Sequence, residues 1–127
     1  YQPHNYPTNC VAYVGTHDND TALGWLSTAA PEDVALAREY LHLDAAEGEN
    51  WGMMRAIWSS TADCAIVQMQ DLLGLGTEGR MNTPSTLGGN WKWRALPDFD
   101  SPALAKRLRR QMELYERLPQ GRKGEQV

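Results

Sequence analysis

The chain has 127 residues, the length of one ordinary domain, and 42% of them are hydrophobic, as in a globular protein. Its formal net charge of -4 argues against a nucleic-acid partner, and no run of roughly 18 apolar residues is present that could span a membrane. Cys10 and Cys64 each lie in an apolar run, so we expect buried thiols in a reducing compartment, the cytoplasm, with a disulfide as the alternative. No spacing of cysteines or histidines indicates zinc, and we expect neither a metal ion nor a cofactor.

The first predicted element is a strand over residues 10–15, which are apolar throughout rather than alternating with polar residues. Such a run is typical of a parallel strand that is buried on both faces. Polar and ionisable residues follow at once, and a second apolar pattern predicts a helix over residues 21–29. We call residues 15–21 the polar corner. A strand that ends in acidic residues and leads into a helix is how α/β enzymes present catalytic groups.

Two more helices are predicted before the next strand. Pro31 is followed by two acidic residues, which together favour a helix start, and an apolar stripe continues over residues 32–42. The stripe after that is aromatic and methionine-rich, and we expect it to form core rather than a ligand platform. It consists of Trp51, Met54, Ile57 and Trp58.

A second buried strand is predicted over residues 64–70, and Asp71 follows it directly. Neighbouring parallel strands lie about 4.8 Å apart. Asp18 and Asp71 would then occupy equivalent positions at the ends of two adjacent strands. We therefore expect both carboxylates to face one cleft.

Residues 72–96 are rich in glycine and predict an ordered loop. Residues 74–79 match the glycine spacing of a dinucleotide fingerprint, but Pro84 argues against the helix that the fingerprint requires, so we interpret the glycines as a tight turn. Trp91 and Trp93 are two residues apart and would point the same way on an extended segment. We expect them to pack in the core, and stacking on sugar rings is the alternative.

A last helix is predicted to begin with Pro102 at its first position, after the capping residue Ser101. Its basic residues lie mostly off the apolar stripe and predict a solvated face, and residues 120–127 form a polar tail. The stripe that we expect to be buried consists of Leu104, Leu108, Met112 and Tyr115.

The order of elements predicts two βα units of a parallel sheet. Two parallel strands cannot cover both of their faces, and a complete (β/α)8 barrel needs about 250 residues. The chain also begins at Tyr1 rather than at a methionine. We therefore expect it to be incomplete on its own, with most of the sheet lying upstream in a longer enzyme.

The polar corner has two interpretations. Helix capping is the simpler one, and we expect Asp20 to accept a free N–H group of the following helix. Capping does not explain why His17 and Asp18 stand at the end of a buried strand. A carboxylate placed there can accept hydrogen bonds from a polyhydroxylated substrate and oppose the positive charge of an oxocarbenium-like transition state. A calcium-loop interpretation fails because the later ligands are missing.

The polar corner, followed by Gly24-Trp25, resembles the fourth conserved region of the 4-α-glucanotransferases. Residues 70–76, Glu78, residues 80–84 and Gly89-Asn90-Trp91 resemble the end of the same proteins. These are the amylomaltases, or disproportionating enzymes, of glycoside hydrolase family 77. The resemblance covers the chain from about Tyr1 to Tyr115.

The resemblance implies that residues 1–127 are the C-terminal segment of a catalytic (β/α)8 TIM barrel, with no separate second domain. The segment would hold strands seven and eight, their helices and a C-terminal helix. The implied reaction is retaining transfer of α-1,4-glucan segments between maltooligosaccharides, in the metabolism of starch, glycogen and maltose. The implied partners are these glucans and the upstream part of the barrel.

The resemblance also implies residue roles. Asp18 matches the third carboxylate of the family, which stabilises the transition state, and His17 would hydrogen-bond the same sugar. Asn82 and Pro84 match the loop that lines the cleft, while Asp71 and Asn19 are further candidates. The nucleophile and the acid/base precede the seventh strand in this family and are absent from the chain. One departure is the residue after Pro84, which is often glycine in the family and is serine in this sequence.

Three alternatives stay open at this point. The first is a hydrolase of the α-amylase clan, which would use water rather than a sugar as acceptor. The second is a non-catalytic carbohydrate-binding fragment that binds through Trp91 and Trp93. The third is an interaction fragment without chemistry, which would associate through its uncovered sheet.

Overall fold

The computed structural model describes residues 2–119. Within them, no helix combines the length and apolar character needed to cross a bilayer. Two 3-10 turns, Pro3–Asn5 and Thr77–Gly79, accompany the main elements. These are β1 (Val11–Tyr13), α1 (Ala22–Thr28), α2 (Pro31–Leu41), α3 (Glu49–Trp58), β2 (Cys64–Ile66), α4 (Met69–Leu72) and α5 (Pro102–Leu114).

The two strands form a parallel pair, in which Ala12 of β1 lies opposite Ala65 of β2. This confirms the small α/β arrangement with parallel strands that the sequence predicts. The second strand is shorter than predicted, because the chain leaves it after Ile66 and enters α4 at Met69. A short apolar run does not distinguish a strand from a short helix. Asp71 consequently lies on a helix and not at the end of a strand.

Only one face of β1 is covered by the described chain. Ala12 is buried against the core, whereas Val11 and Tyr13, which point to the other face, are 50% and 45% exposed. Burial on both faces, which the sequence predicts for a strand within a complete sheet, is not reached in residues 2–119, as expected for two strands alone. The expected burial of the cysteines fails, since Cys64 is exposed and Cys10 is half-buried, and both thiols are free rather than paired in a disulfide.

Helix α3 is the centre of the core. The aromatic and methionine stripe predicted from the sequence is buried there against Ala12 and Leu72, which confirms that it is core. Helix α5 covers the same cluster with its predicted stripe, which is partly buried: Leu104, Leu108, Met112 and Tyr115.

The basic residues of α5 are exposed, as predicted, and one of them also contributes to packing. The Arg107 guanidinium lies 3.9 Å from the ring centroid of Trp51 and donates to the carbonyl oxygen of Glu47 at 2.6 Å. Such a cation over an indole face is favourable because the ring presents its negative side. Arg107 thus helps to hold α5 on α3.

Candidate active site

The polar corner connects β1 to α1 and brings Asp18 and His17 together. His17 Nε2 lies 3.3 Å from Asp18 Oδ1, and the two side chains are 56% and 48% exposed. Asn82, which is 64 residues later in the chain, donates from Nδ2 to the same Asp18 oxygen at 2.8 Å. The Asn82 backbone N–H also donates to the His17 carbonyl at 3.0 Å. Three of the predicted site residues therefore meet at one carboxylate oxygen.

Arg80 joins the two segments of this site, and the sequence alone gave it no role. Its Nη2 donates to the Asp18 carbonyl at 2.7 Å, and its Nε donates to the Asn82 carbonyl at 2.9 Å. One guanidinium with several donors in a fixed geometry suits this bridging. The sequence indicates this role only through the position of Arg80, two residues before the site residue Asn82.

The remaining residues of the corner hold its backbone. Asn19 Oδ1 accepts from the backbone N–H of Thr16 at 2.8 Å and from the Thr16 hydroxyl at 3.1 Å. This side-chain oxygen closes the turn. Because Asn19 Oδ1 is already bound to Thr16, it is less available for the substrate contact that made Asn19 a candidate site residue. Asp20 accepts from the Thr77 hydroxyl at 2.9 Å and thereby ties the corner to the glycine-rich segment.

Asp20 accepts a free N–H group as predicted, since its Oδ1 accepts from the Thr21 N–H at 2.8 Å, but this contact lies one residue before the helix. The Thr21 hydroxyl, rather than the Asp20 carboxylate, accepts from the Gly24 N–H at 3.1 Å. The helix begins at Ala22, which places Thr21 at the capping position. A Cβ atom at Gly24 would lie 2.3 Å from Asp20 Oδ1, so a larger residue there would displace the Asp20 side chain.

Asp71 is inside the molecule and does not face a cleft. The residue is 1% exposed, and its Oδ1 accepts from the backbone N–H of Ala22 at 2.8 Å. Burial raises the pKa of the Asp71 carboxyl and the nearby charge of Asp20 adds to the rise, whereas the Ala22 N–H opposes it. The expectation of two strand-end carboxylates facing one cleft is wrong, because α4 turns Asp71 towards the start of α1.

The loop that follows Asn82 is exposed, and two of its non-glycine residues, Ser85 and Trp91, have a positive φ. Pro84 lies on this exposed segment, and Ser85 has a φ of 62°, a conformation that glycine adopts more readily. The departure noted in the sequence therefore falls at a position where the backbone favours glycine. The Trp91 N–H closes the loop by donating to the Met81 carbonyl at 2.7 Å.

Trp91 lies beside the site rather than in the core. It is 61% exposed, has a φ of 60°, and its ring centroid is 5.1 Å from that of His17. The core role expected for the two tryptophans is wrong for Trp91, while Trp93 is half-buried. Non-glycine residues held at positive φ are concentrated at functional sites.

The arrangement suits a carboxylate that contacts a polar substrate. Asn82 and His17 both engage Asp18 Oδ1, and Oδ2 has no partner within residues 2–119. A fixed, half-exposed carboxylate of this kind can accept hydrogen bonds from sugar hydroxyls and oppose developing positive charge. Across the same described range, no group of three or more His, Cys, Asp or Glu side chains is placed to hold a metal ion.

Comparisons with known proteins place the chain in one family. The family described as 4-alpha-glucanotransferase, glycoside hydrolase family 77, matches residues 1–98. The chain belongs to the 4-alpha-glucanotransferase family. The 4-alpha-glucanotransferase of Clostridium butyricum is 50% identical over 118 residues, which are 92% of this chain and 24% of that protein. The one from Thermus thermophilus is 45% identical over 125 residues, covering 93% of this chain and 25% of that protein.

A solved structure of the family shares the fold. The amylomaltase from Streptococcus agalactiae in complex with acarbose matches with a TM-score of 0.85 and 34% identity. The match covers 90% of this chain and 23% of the amylomaltase. The chain thus spans about a quarter of the length of these family members.

Proposed function

We propose that the chain forms the C-terminal part of a (β/α)8 barrel, strands seven and eight with their helices, in a 4-α-glucanotransferase. The enzyme transfers α-1,4-glucan segments between maltooligosaccharides. Family membership over residues 1–98 supports the activity. The parallel strands and the uncovered face of β1 support the barrel, since further strands and helices would cover that face.

In this proposal Asp18 is the third carboxylate of the site. It holds the sugar at the reacting subsite through its hydroxyls and stabilises the oxocarbenium-like transition state. His17 and Asn82 orient the carboxylate and bind the same sugar, and Pro84 lines the cleft. The exposed indole of Trp91 offers a face on which a sugar ring can stack. The upstream part of the barrel supplies the nucleophile and the acid/base.

One observation carries the assignment of Asp18. The structural needs of the corner are met by other residues, because Thr21 caps α1, Asn19 closes the turn and Asp20 binds Thr77. The Asp18 carboxylate is left exposed and is nevertheless held by Asn82 from a distant segment. A carboxylate that is positioned but not needed for folding is the pattern expected of a functional group.

We also propose a cytoplasmic location and α-1,4-glucans derived from starch, glycogen or maltose as substrates. The two free cysteines are in keeping with a reducing compartment. The acarbose bound to the Streptococcus agalactiae amylomaltase is in keeping with oligosaccharide substrates.

The test uses this chain joined to the upstream part of the Clostridium butyricum relative, which we call the extended protein. It is incubated with maltotriose, and glucose and longer maltooligosaccharides are measured. We expect disproportionation by the extended protein and none by the chain alone. Products shorter than maltotriose without any longer ones would indicate a hydrolase instead.

The assigned role of Asp18 is tested in the same assay. Asp18→Ala is expected to lower kcat by about 10³-fold, because a preorganised transition-state contact is removed. Asp33→Ala, which removes an exposed carboxylate from the first turn of α2, is the matched control and should leave kcat unchanged. Wild-type turnover in a folded Asp18→Ala variant would refute the role assigned to Asp18.

A further inference from the structure

The Asp71 carboxylate is buried in an arrangement that packing alone does not require. It is 1% exposed, and its Oδ2 is buried and has no hydrogen-bond partner among residues 2–119. Its own carbonyl accepts from Asn50 Nδ2 of α3 at 2.6 Å, which fixes the backbone of α4. A buried polar oxygen without a partner is unfavourable. An ionisable residue at this position therefore calls for an explanation other than filling space.

The partner of this carboxylate lies at the end of the polar corner. Asp71 Oδ1 accepts from the N–H of Ala22, a residue 49 positions away that directly follows Thr21. This N–H is one of the groups at a helix start that have no partner within the helix. Ala22 is four residues from Asp18. The hydrogen bond consequently fixes the point at which the corner becomes α1.

We propose that Asp71 is a positioning residue that acts through the Ala22 N–H: it fixes the polar corner and thereby the orientation of Asp18 towards Asn82. The inference rests on the proposed glucanotransferase function, which it deepens. The role needs only an acceptor oxygen, which the carboxylate and its acid form both provide. Burial, which raises the pKa of this carboxyl, therefore leaves the contact intact.

The first experiment measures kcat and KM for maltotriose in the extended protein and its variants. Asp71→Ala is expected to lower kcat by about 10²-fold with little change in KM, because small displacements of a catalytic group cost rate rather than binding. Asp71→Asn keeps an acceptor oxygen and should restore kcat to within about tenfold of the wild-type value. Leu72→Ala, the matched control on the same helix, removes a buried apolar side chain and should keep kcat near that of the wild type.

The second experiment measures hydrogen exchange of the Ala22 amide and of the amides of residues 16–19. We expect faster exchange in Asp71→Ala, wild-type exchange in Asp71→Asn and no specific effect at the corner in Leu72→Ala. This measurement needs no activity. An inactive wild-type extended protein would therefore overturn the proposed function, while exchange at the corner would still decide whether Asp71 holds it.

The proposal is overturned if a folded Asp71→Ala has the same kcat as the control Leu72→Ala. It is also overturned if the amides of residues 16–19 and Ala22 in that variant exchange at the wild-type rate. If Asp71→Ala does not fold, Asp71→Leu serves in its place, because it removes the acceptor while filling the space. A folded Asp71→Asn that is as slow as Asp71→Ala would likewise overturn the role assigned to the acceptor oxygen.

Discussion

Replacing Asn82 by aspartate tests the shared oxygen at the centre of the site. Asn82 Nδ2 donates to Asp18 Oδ1 at 2.8 Å, so Asn82→Asp brings a second carboxylate oxygen to about that separation. Two unit charges at this distance repel by about 1.5 kcal/mol in water and about 6 kcal/mol at an effective dielectric constant of 20. Asp18 is 48% exposed, which places the repulsion towards the lower value.

The hydrogen bond itself is also lost in this variant. A hydrogen bond to a charged group contributes about 1.5–3 kcal/mol, and exposure again favours the lower value. Together the two effects amount to roughly 3 kcal/mol, or about 10²-fold in kcat/KM. Asn82→Ala removes only the hydrogen bond and should lose about tenfold.

The assay follows the initial rate of glucose release from maltotriose by the extended protein. Asn90→Asp is the matched control, because it adds the same charge in the same loop and keeps the oxygen that accepts from the Thr83 N–H. We expect Asn90→Asp to retain wild-type kcat/KM. The reasoning is refuted if Asn82→Asp and Asn90→Asp lose activity equally, or if Asn82→Ala is as slow as Asn82→Asp.

Two further predictions concern stability of the extended protein. Arg117→Ala is expected to lower the free energy of unfolding by about 2–3 kcal/mol, measured by urea denaturation, because hydrogen bonds from a charged donor are lost and partly buried carbonyls are left without that partner. The Arg117 guanidinium donates to four carbonyls at the end of α3 and just after it, those of Ile57, Trp58, Ser60 and Ala62. Arg109→Ala, on the exposed surface of α5, is the control and should change the free energy of unfolding little. The second prediction concerns pH: burial raises the pKa of Asp71 above its ordinary value of 3.8, so its acid form is favoured on folding. This contribution to stability is fully present below about pH 4 and is lost as the pH rises through the raised pKa. Asp71→Asn should therefore lose less stability than the wild type between about pH 4 and 7 in thermal unfolding, and identical pH profiles would contradict this.

The helices α1, α2, α3 and α5 were predictable because their signals are local, whereas α4 was not. Pro31 and Pro102 stand at the first positions of α2 and α5, and the apolar stripes of α3 and α5 have helical spacing. The end of β2 was not predictable, since the apolar run continues past Ile66 into the next helix. Periodicity in so short a segment does not separate strand from helix.

The site was predictable only in part. The strand and the acidic residues after it locate Asp18, but its contact with Asn82 spans 64 residues, and only the family resemblance connected the two. The role of Asp71 has no local signal, because it depends on an N–H group 49 residues away. The exposure and the positive φ of Trp91 were not predictable either, because tryptophan is ordinarily well buried and rarely adopts a positive φ.

In the polar corner, the residues that fix the backbone are different from the residue that is available to a substrate. Thr21, Asn19 and Asp20 bind partners that fix the backbone of the corner. Asp71 fixes the start of α1 by accepting from the Ala22 N–H. Each of these contacts is satisfied within the described chain. The Asp18 carboxylate is half-exposed and keeps Oδ2 for a partner outside the described chain, whereas the Asp71 oxygen without a partner there is buried. Substitutions in the first group should thus change stability and the geometry of the corner together, whereas Asp18 substitutions should change turnover with the fold intact.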